Sequence, residues 1–382
     1  MANACPPSRA GVPPDLGRHG CPGAAGGHAP GMCATAVIER VYFRCEAKSD
    51  KSESRWHLDC RTSHFQDMAG PSLLRNGLTV VLAAALVALV ASEPEYYTHE
   101  TVAGDYLKKI DVGGRRREYR LHLPSGYNGT RRLPLVLAFH GSSASASVIE
   151  RETSLDDIAD SLGFIVVYPE GLHRGWNTEE CCRYSFMQHV NETAFVSAML
   201  DHLESGGAVD PARVFATGYS DGGTLSFLLA CNLPTRITAI AAVSATLFDP
   251  LPACDISRPV SVLIIHGTGD THIPYRGQRG AKADVRARHQ MLSAPEVAQF
   301  WVERDGCGAT PRTTRTGRVV RSEYNCPHSA SVLFYTIEGG EHGWPGGGRG
   351  WIFSPVPPSD MNATDSIVSF FLRQRPAPPI PR

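Results

Sequence analysis

The chain has 382 residues, a formal net charge of -1 and a pI near 6.9, a balance that gives no pull toward nucleic acid or an anionic membrane surface. Apolar residues make up 42% of it and charged ones 20%, which suits a sizeable core in one large α/β domain with extensions, or in two domains.

Residues 1–67 are rich in Pro, Gly and Ala, then in charge, and carry no sustained period of 3.6 or 2. Cys5, Cys21, Cys33, Cys45 and Cys60 are scattered through them without a C-x-x-C pair, a spacing that does not favour zinc. This stretch reads as disordered, or as an upstream extension that the mature protein lacks. From Met68 the pattern changes. Arg75 gives a basic lead, Leu78 to Val90 form an apolar core interrupted only by Thr79, and the small residues Ala91 and Ser92 follow. That is the layout of a secretory signal over residues 68–92, with a core shorter than the ~20 residues a membrane span needs. Its internal position predicts that translation begins at Met68; if the long form is made, the segment competes as a signal anchor.

A single folded domain is expected over residues 93–382. Tyr119–Pro124 alternates like a strand, and Leu133–Phe139, Phe164–Tyr168, Val214–Thr217, Ile240–Ala245, Val260–Ile265 and Ser331–Ile337 are apolar strand-like runs. Helix-compatible stretches lie between and after them, at Ser154–Leu162, Glu192–Leu203, Thr224–Ala230, Ala294–Arg304 and Ala363–Arg373. Strands that are apolar along their length and alternate with helices predict a mostly parallel sheet covered on both faces. Such sheets present their chemistry beyond the carboxyl ends of the strands.

Three strand ends carry useful groups. The run from Val214 passes through Gly218-Tyr219-Ser220-Asp221-Gly222 into a helix-compatible segment, the G-x-S-x-G pattern of a sharp strand-to-helix turn. Gly218 and Gly222 leave room for that turn and lift the Ser220 hydroxyl clear of the sheet. After Val260–Ile265 comes His266-Gly-Thr-Gly-Asp270, and after Ser331–Ile337 comes Glu338-Gly-Gly-Glu-His342. The order Ser220, Asp270, His342 is the order in which an α/β-hydrolase presents nucleophile, acid and base. His272 follows Asp270 too closely to arc back onto it, and His289 and His328 do not close a strand. The oxyanion site needs two backbone N–H groups, expected from Asp221 and from Ser142 in the loop after His140-Gly141. His140 reads as a structural residue.

Together these residues form a family pattern. Residues 100 to about 375 resemble the secreted esterases grouped with polyhydroxybutyrate depolymerases and feruloyl esterases. The resemblance is carried by Pro134–Gly141, Tyr168–Gly171 with Trp176-Asn177 and Cys181-Cys182, Val209–Arg213, Gly218–Gly223, His266–Asp270 with Ile273–Gly277, Glu338–Pro345 and Ala363–Ile367. It implies an α/β-hydrolase fold, no metal or other cofactor, and Ser220, Asp270 and His342 as the triad. Three positions depart from the family pattern: Asp221 where Asn is frequent, the Ser/Ala-rich loop Ser142–Ser147, and Asn191-Glu192 in place of two aspartates. The first two bear on the oxyanion site, the third on helix packing.

Six cysteines follow the signal-like segment, an even number consistent with disulfides in an oxidising compartment. The resemblance and chain proximity favour Cys231 with Cys254 and Cys307 with Cys326. Cys181 and Cys182 are adjacent and form either a vicinal bridge or two packed thiols. Asn128, Asn191 and Asn362 head Asn-x-Thr acceptor patterns, meaningful only in a eukaryotic secretory chain. Trp176 and Trp344 are the aromatics expected to touch substrate. The expected activity is that of a secreted serine carboxylic ester hydrolase, feruloyl-esterase-like, acting on hydroxycinnamoyl or related esters of plant polysaccharide. Poly(3-hydroxybutyrate) depolymerase and acetylxylan esterase are the alternatives, and a catalytically silent secreted binding protein is the non-enzyme one. The expected partner is a small, polysaccharide-borne or polyester substrate, with no nucleic acid and, once the signal is cleaved, no stable membrane partner.

Overall fold

The structure, a computed structural model, describes residues 33–38, 41–50 and 55–62 as paired strands, and then residues 100–178, 184–255, 257–278, 290–349 and 357–375. The signal-like segment 68–92, Cys5, Cys21, Cys181 and Cys182 lie outside the described residues. The chain divides into two units, one holding the described residues between 33 and 62 and the other those from 100 to 375. In the first, β1 (Cys33–Ile38), β2 (Val41–Asp50) and β3 (Arg55–Thr62) form an antiparallel sheet in that order, within a stretch whose sequence carries no clear period.

The second unit is built on a ten-stranded sheet. Its strands are β4 (Gly104–Val112), β5 (Arg115–Leu123), β6 (Leu133–Phe139), β7 (Ile165–Pro169), β8 (Val209–Tyr219), β9 (Ala239–Val243), β11 (Ser261–Gly267), β13 (Arg312–Thr316), β14 (Val319–Asn325) and β15 (Ser331–Ile337). The two-residue strands β10 (Phe248–Asp249) and β12 (Gln290–Met291) pair with each other beside it. The spatial order is β13-β14-β15-β11-β9-β8-β6-β7-β5-β4. β7, β6, β8, β9, β11 and β15 run parallel, while β5 and β4 on one flank and β14 and β13 on the other are antiparallel to their neighbours. This is the strand order of the α/β-hydrolase fold with a hairpin added at the β15 edge.

β6, β7, β9 and β11 are buried throughout, which is why their sequences are apolar at every position and not at alternate ones. Alternation still decides the layer. Leu135, Leu137 and Ile264 face one core with Phe195, Phe227 and Trp301, carried by the helices α4 (Glu192–Ser205), α5 (Asp221–Asn232) and α6 (Ala294–Arg304). Val136, Ala138 and Ile265 face the other with Ile149, Leu155 and Phe371, carried by α1 (Ala146–Thr153), α2 (Leu155–Leu162) and α7 (Ala363–Arg373). A short helix, α3 (Tyr184–Met187), precedes α4.

The helix starts are set by local chemistry. Ser293 and Glu296 form a reciprocal capping box at α6, and the side chains of Asn191 and Asn362 cap α4 and α7 by accepting the N–H of Ala194 and Asp365. Disulfides join Cys231 to Cys254 and Cys307 to Cys326, the two pairings the resemblance favoured. The first ties the last turn of α5 to the loop before β11; the second ties the end of α6 to the end of β14. Among the described residues, no helix is long and apolar enough to cross a membrane.

Candidate active site

β8 runs into α5 through Ser220, whose backbone sits at φ 55° and ψ -119°, far from any conformation a serine adopts freely. The strain is held by the core around it. The Ser220 N–H donates to Val243 O at 2.9 Å, and the flanking glycines admit backbone where no side chain fits. A Cβ on Gly222 would lie 2.1 Å from Phe139 O, and one on Gly218 would lie 2.3 Å from the Gly222 carbonyl. Only Gly at both points lets α5 start against the ends of β6 and β8.

The partners arrive on the loops after β11 and β15, which touch backbone to backbone. A Cβ on Gly267 would come within 2.1 Å of Gly340 O, and the Gly269 N–H donates to that same oxygen at 2.9 Å. This contact brings Asp270 and His342 together, with His342 Nδ1 2.7 Å from Asp270 Oδ2. Asp270 Oδ1 accepts the N–H groups of His272 and Ile273, both at 2.9 Å. Burial pushes the Asp270 carboxyl up, but the hydrogen bond and charge of His342, with the Ile273 N–H, more than offset that and hold it below the usual carboxylate range. It is therefore an anion, Nδ1 carries the imidazole proton, and Nε2 is left to accept. His342 Nε2 lies 3.2 Å from Ser220 Oγ, so the serine hydroxyl donates to it. The structure thus brings together the three side chains that the sequence singles out, in a chain of hydrogen bonds able to move a proton off a hydroxyl and hold the cation that results.

The Asp221 side chain turns away from this chain. Its Oδ1 accepts from Thr178 Oγ1 at 2.6 Å, and its Oδ2 lies 3.4 Å from the Trp176 N–H, which fastens residues 171–178 beneath the turn. Asp221 opens α5, so its backbone N–H lies in the first turn, where the helix dipole favours negative charge. Ser142 is half-buried at the end of β6, beside Gly141, whose Cβ position would be 3.5 Å from Ser220 Cβ.

His140 is fully buried and fills a structural role. Nδ1–H donates to Gly141 O at 2.8 Å and Nε2 accepts the Gly171 N–H at 3.0 Å, while burial pushes its pKa down to about 4. The expectation that Trp176 and Trp344 meet substrate is not met. Trp176 is 0% exposed, its ring lies edge-on to Phe139, and its indole N–H donates to His140 O at 2.8 Å. Trp344 is 2% exposed and donates to Thr364 Oγ1 at 2.9 Å. Each indole is spent on the interior, where a large apolar body with one polar edge packs well.

Four residues near the site were not marked from the sequence. Glu192 forms a buried pair with Arg117 at 2.9 Å and accepts the Asn177 N–H at 3.2 Å, so the first turn of α4 supports the same 171–178 segment. Tyr219 places its ring 4.8 Å from that of His342. His272, discounted as a base, stacks on His342 instead. Glu152, on the last turn of α1, is buried with Oε2 unpartnered in the structure, and its pKa is raised to about 7 by that burial. Glu152 also raises the pKa of Tyr219, after burial the first cause of that shift. Away from the site, Asp105, His122 and Asp156 group three metal-type ligand atoms within 4.8 Å, but each has a protein partner: His122 pairs with Asp105 at 2.7 Å and Asp160 at 3.2 Å, and Asp156 Oδ1 accepts the Tyr168 hydroxyl at 2.7 Å.

The family described as Esterase PHB depolymerase matches residues 117–269. The chain is 30% identical over 278 residues to a Nocardia uniformis subsp. tsuyamanensis protein named as esterase NocK, covering 69% of this chain and 79% of that one. It is 28% identical to feruloyl esterase B of Piromyces equi, covering 62% of this chain and 44% of the other, and 27% identical to a feruloyl esterase C of Aspergillus terreus, covering 70% and 90%. Among solved structures, an acetyl xylan esterase from Aspergillus awamori overlays 70% of this chain and 98% of its own with a TM-score of 0.49 at 14% identity.

Proposed function

Because the chain belongs to the esterase family of polyhydroxybutyrate depolymerases and feruloyl esterases, we propose that it hydrolyses carboxylic esters with Ser220 as nucleophile, His342 as base and Asp270 as orienting carboxylate. The observation that carries the reading is the continuous chain Asp270 Oδ2–His342 Nδ1 at 2.7 Å and His342 Nε2–Ser220 Oγ at 3.2 Å. Ser220 Oγ attacks the ester carbonyl as its proton passes to Nε2. The Asp270 anion keeps the imidazole in the accepting tautomer and stabilises its cation. Negative charge on the carbonyl oxygen is met by the N–H of Asp221 and that of Ser142. Collapse of the tetrahedral adduct breaks the ester C–O bond, and His342 returns the proton to the departing alcohol. Water then repeats the sequence on the acyl-serine, releasing the acid and restoring Ser220.

The substrate class is an ester borne by plant polysaccharide, with hydroxycinnamoyl esters first. Relatives named as feruloyl esterases support this, and the names of others leave acetyl esters of xylan and 3-hydroxyalkanoate polyesters as competing substrates. The two disulfides and the signal-like layout of residues 68–92 support passage through an oxidising secretory compartment. The test offers methyl ferulate, acetylated xylan, short 4-nitrophenyl esters and amorphous polyhydroxybutyrate to the full chain and to Ser220→Ala. Turnover fastest on methyl ferulate and abolished by the substitution is expected. Equal turnover by both proteins on every substrate removes the reading.

A further inference from the structure

The loop after β11 presents a second imidazole to the first. Asp270 Oδ2 takes the ring N–H of His342, while Oδ1 takes the backbone N–H of His272 two residues on. One carboxylate therefore sets the position of both histidines. Their rings lie 4.9 Å apart with 24° between planes, a stack, and His272 is exposed whereas His342 is 8% exposed. The other titratable groups about the pair are Ser220 and Tyr219 at the end of β8, Glu152 acting through Tyr219 from α1, buried His266 on β11, and Glu341 next to His342 on its own loop. Of the three imidazoles in this group, His272 alone is exposed, and His266 and His342 are buried.

We propose that His272 is a positioning residue for the base. The inference rests on the reading of His342 as base. Stacking holds the imidazole edge-on to Ser220 Oγ, where its lone pair meets the attacking hydroxyl. Without the second ring the imidazole can turn about its bond to Asp270, and the lone pair leaves the line of attack.

The test compares the wild type with His272→Phe, which keeps a flat ring, and His272→Ala, which does not, with kcat and KM followed on a 4-nitrophenyl ester. kcat is expected to fall about tenfold in His272→Ala and by less in His272→Phe, with KM nearly constant in both. Unchanged kcat in His272→Ala, or a loss in His272→Phe as large as that in His272→Ala, overturns the proposal. Failure of the esterase reading announces itself differently, as wild-type turnover no faster than that of Ser220→Ala.

Discussion

A buried carboxyl beside the site makes the stability of this protein depend on pH in a calculable way. Glu152 is 6% exposed, and burial raises its pKa from the ordinary 4.5 to about 7. Between those two values the folded chain binds a proton that the unfolded chain has released, so stability falls as pH rises through the window and stays reduced above it. The full penalty at pH 8 is about 3 kcal/mol, since each pH unit of displacement is worth about 1.4 kcal/mol. Glu152→Gln keeps the shape and removes the ionisation. Urea unfolding with the disulfides intact, run at pH 4.5 and pH 8, should find the variant close to wild type at the lower pH and more stable by up to about 3 kcal/mol at the higher. A stability difference that is the same at both values would refute the argument, because no other consequence of the substitution turns on within that range.

Three other substitutions test the site and its supports. Asp270→Asn removes the anion that selects the His342 tautomer, and kcat on a 4-nitrophenyl ester should fall about 10⁴-fold with KM little changed; a loss below tenfold would remove Asp270 from the proposed mechanism. Gly222→Ala drives a Cβ to 2.1 Å from Phe139 O, a contact with backbone that cannot be relieved by a side-chain rotation. It should abolish soluble folded protein, or lower Tm by more than about 10 °C, as read by thermal unfolding. Glu192→Gln leaves Arg117 buried without its counter-charge and should destabilise by about 3–5 kcal/mol in urea unfolding, while the reversed pair Arg117→Glu with Glu192→Arg should not restore wild-type stability because the Asn177 N–H loses its acceptor.

What could be read in advance followed burial. β6, β7, β9, β11 and β15 were found because buried strands are continuously apolar, and α6 and α7 because caps and periodicity agree at both ends. β4 was missed because its inward face is slight: only Ile110 is buried along it. The β13–β14 hairpin was missed for the same reason, since Arg312–Thr316 is exposed at every position and its polar side chains protect a sheet edge. In α1, the preceding serines mask a helix whose pattern is only eight residues long. Ser220, Asp270 and His342 were legible because each closes an apolar run. Glu192 and His272 were not, because their roles depend on which distant elements meet. The two tryptophans were misread because an aromatic two residues from a catalytic-type histidine, or in the Trp176-Asn177 pair that carries the family resemblance, looks the same in a sequence whether it lines a cleft or fills a core.

The seam between Gly267 and Gly340 acts as a mechanical stop. Two ribbons pressed together with no side chain between them cannot close further, and their hydrogen bond at Gly269 keeps them from drifting apart. The carboxylate-to-imidazole spacing is thereby insulated from changes in the outer loops. Positions 142–145 can accept new side chains, and so new preferences for what is cut, without disturbing the distance on which cutting depends.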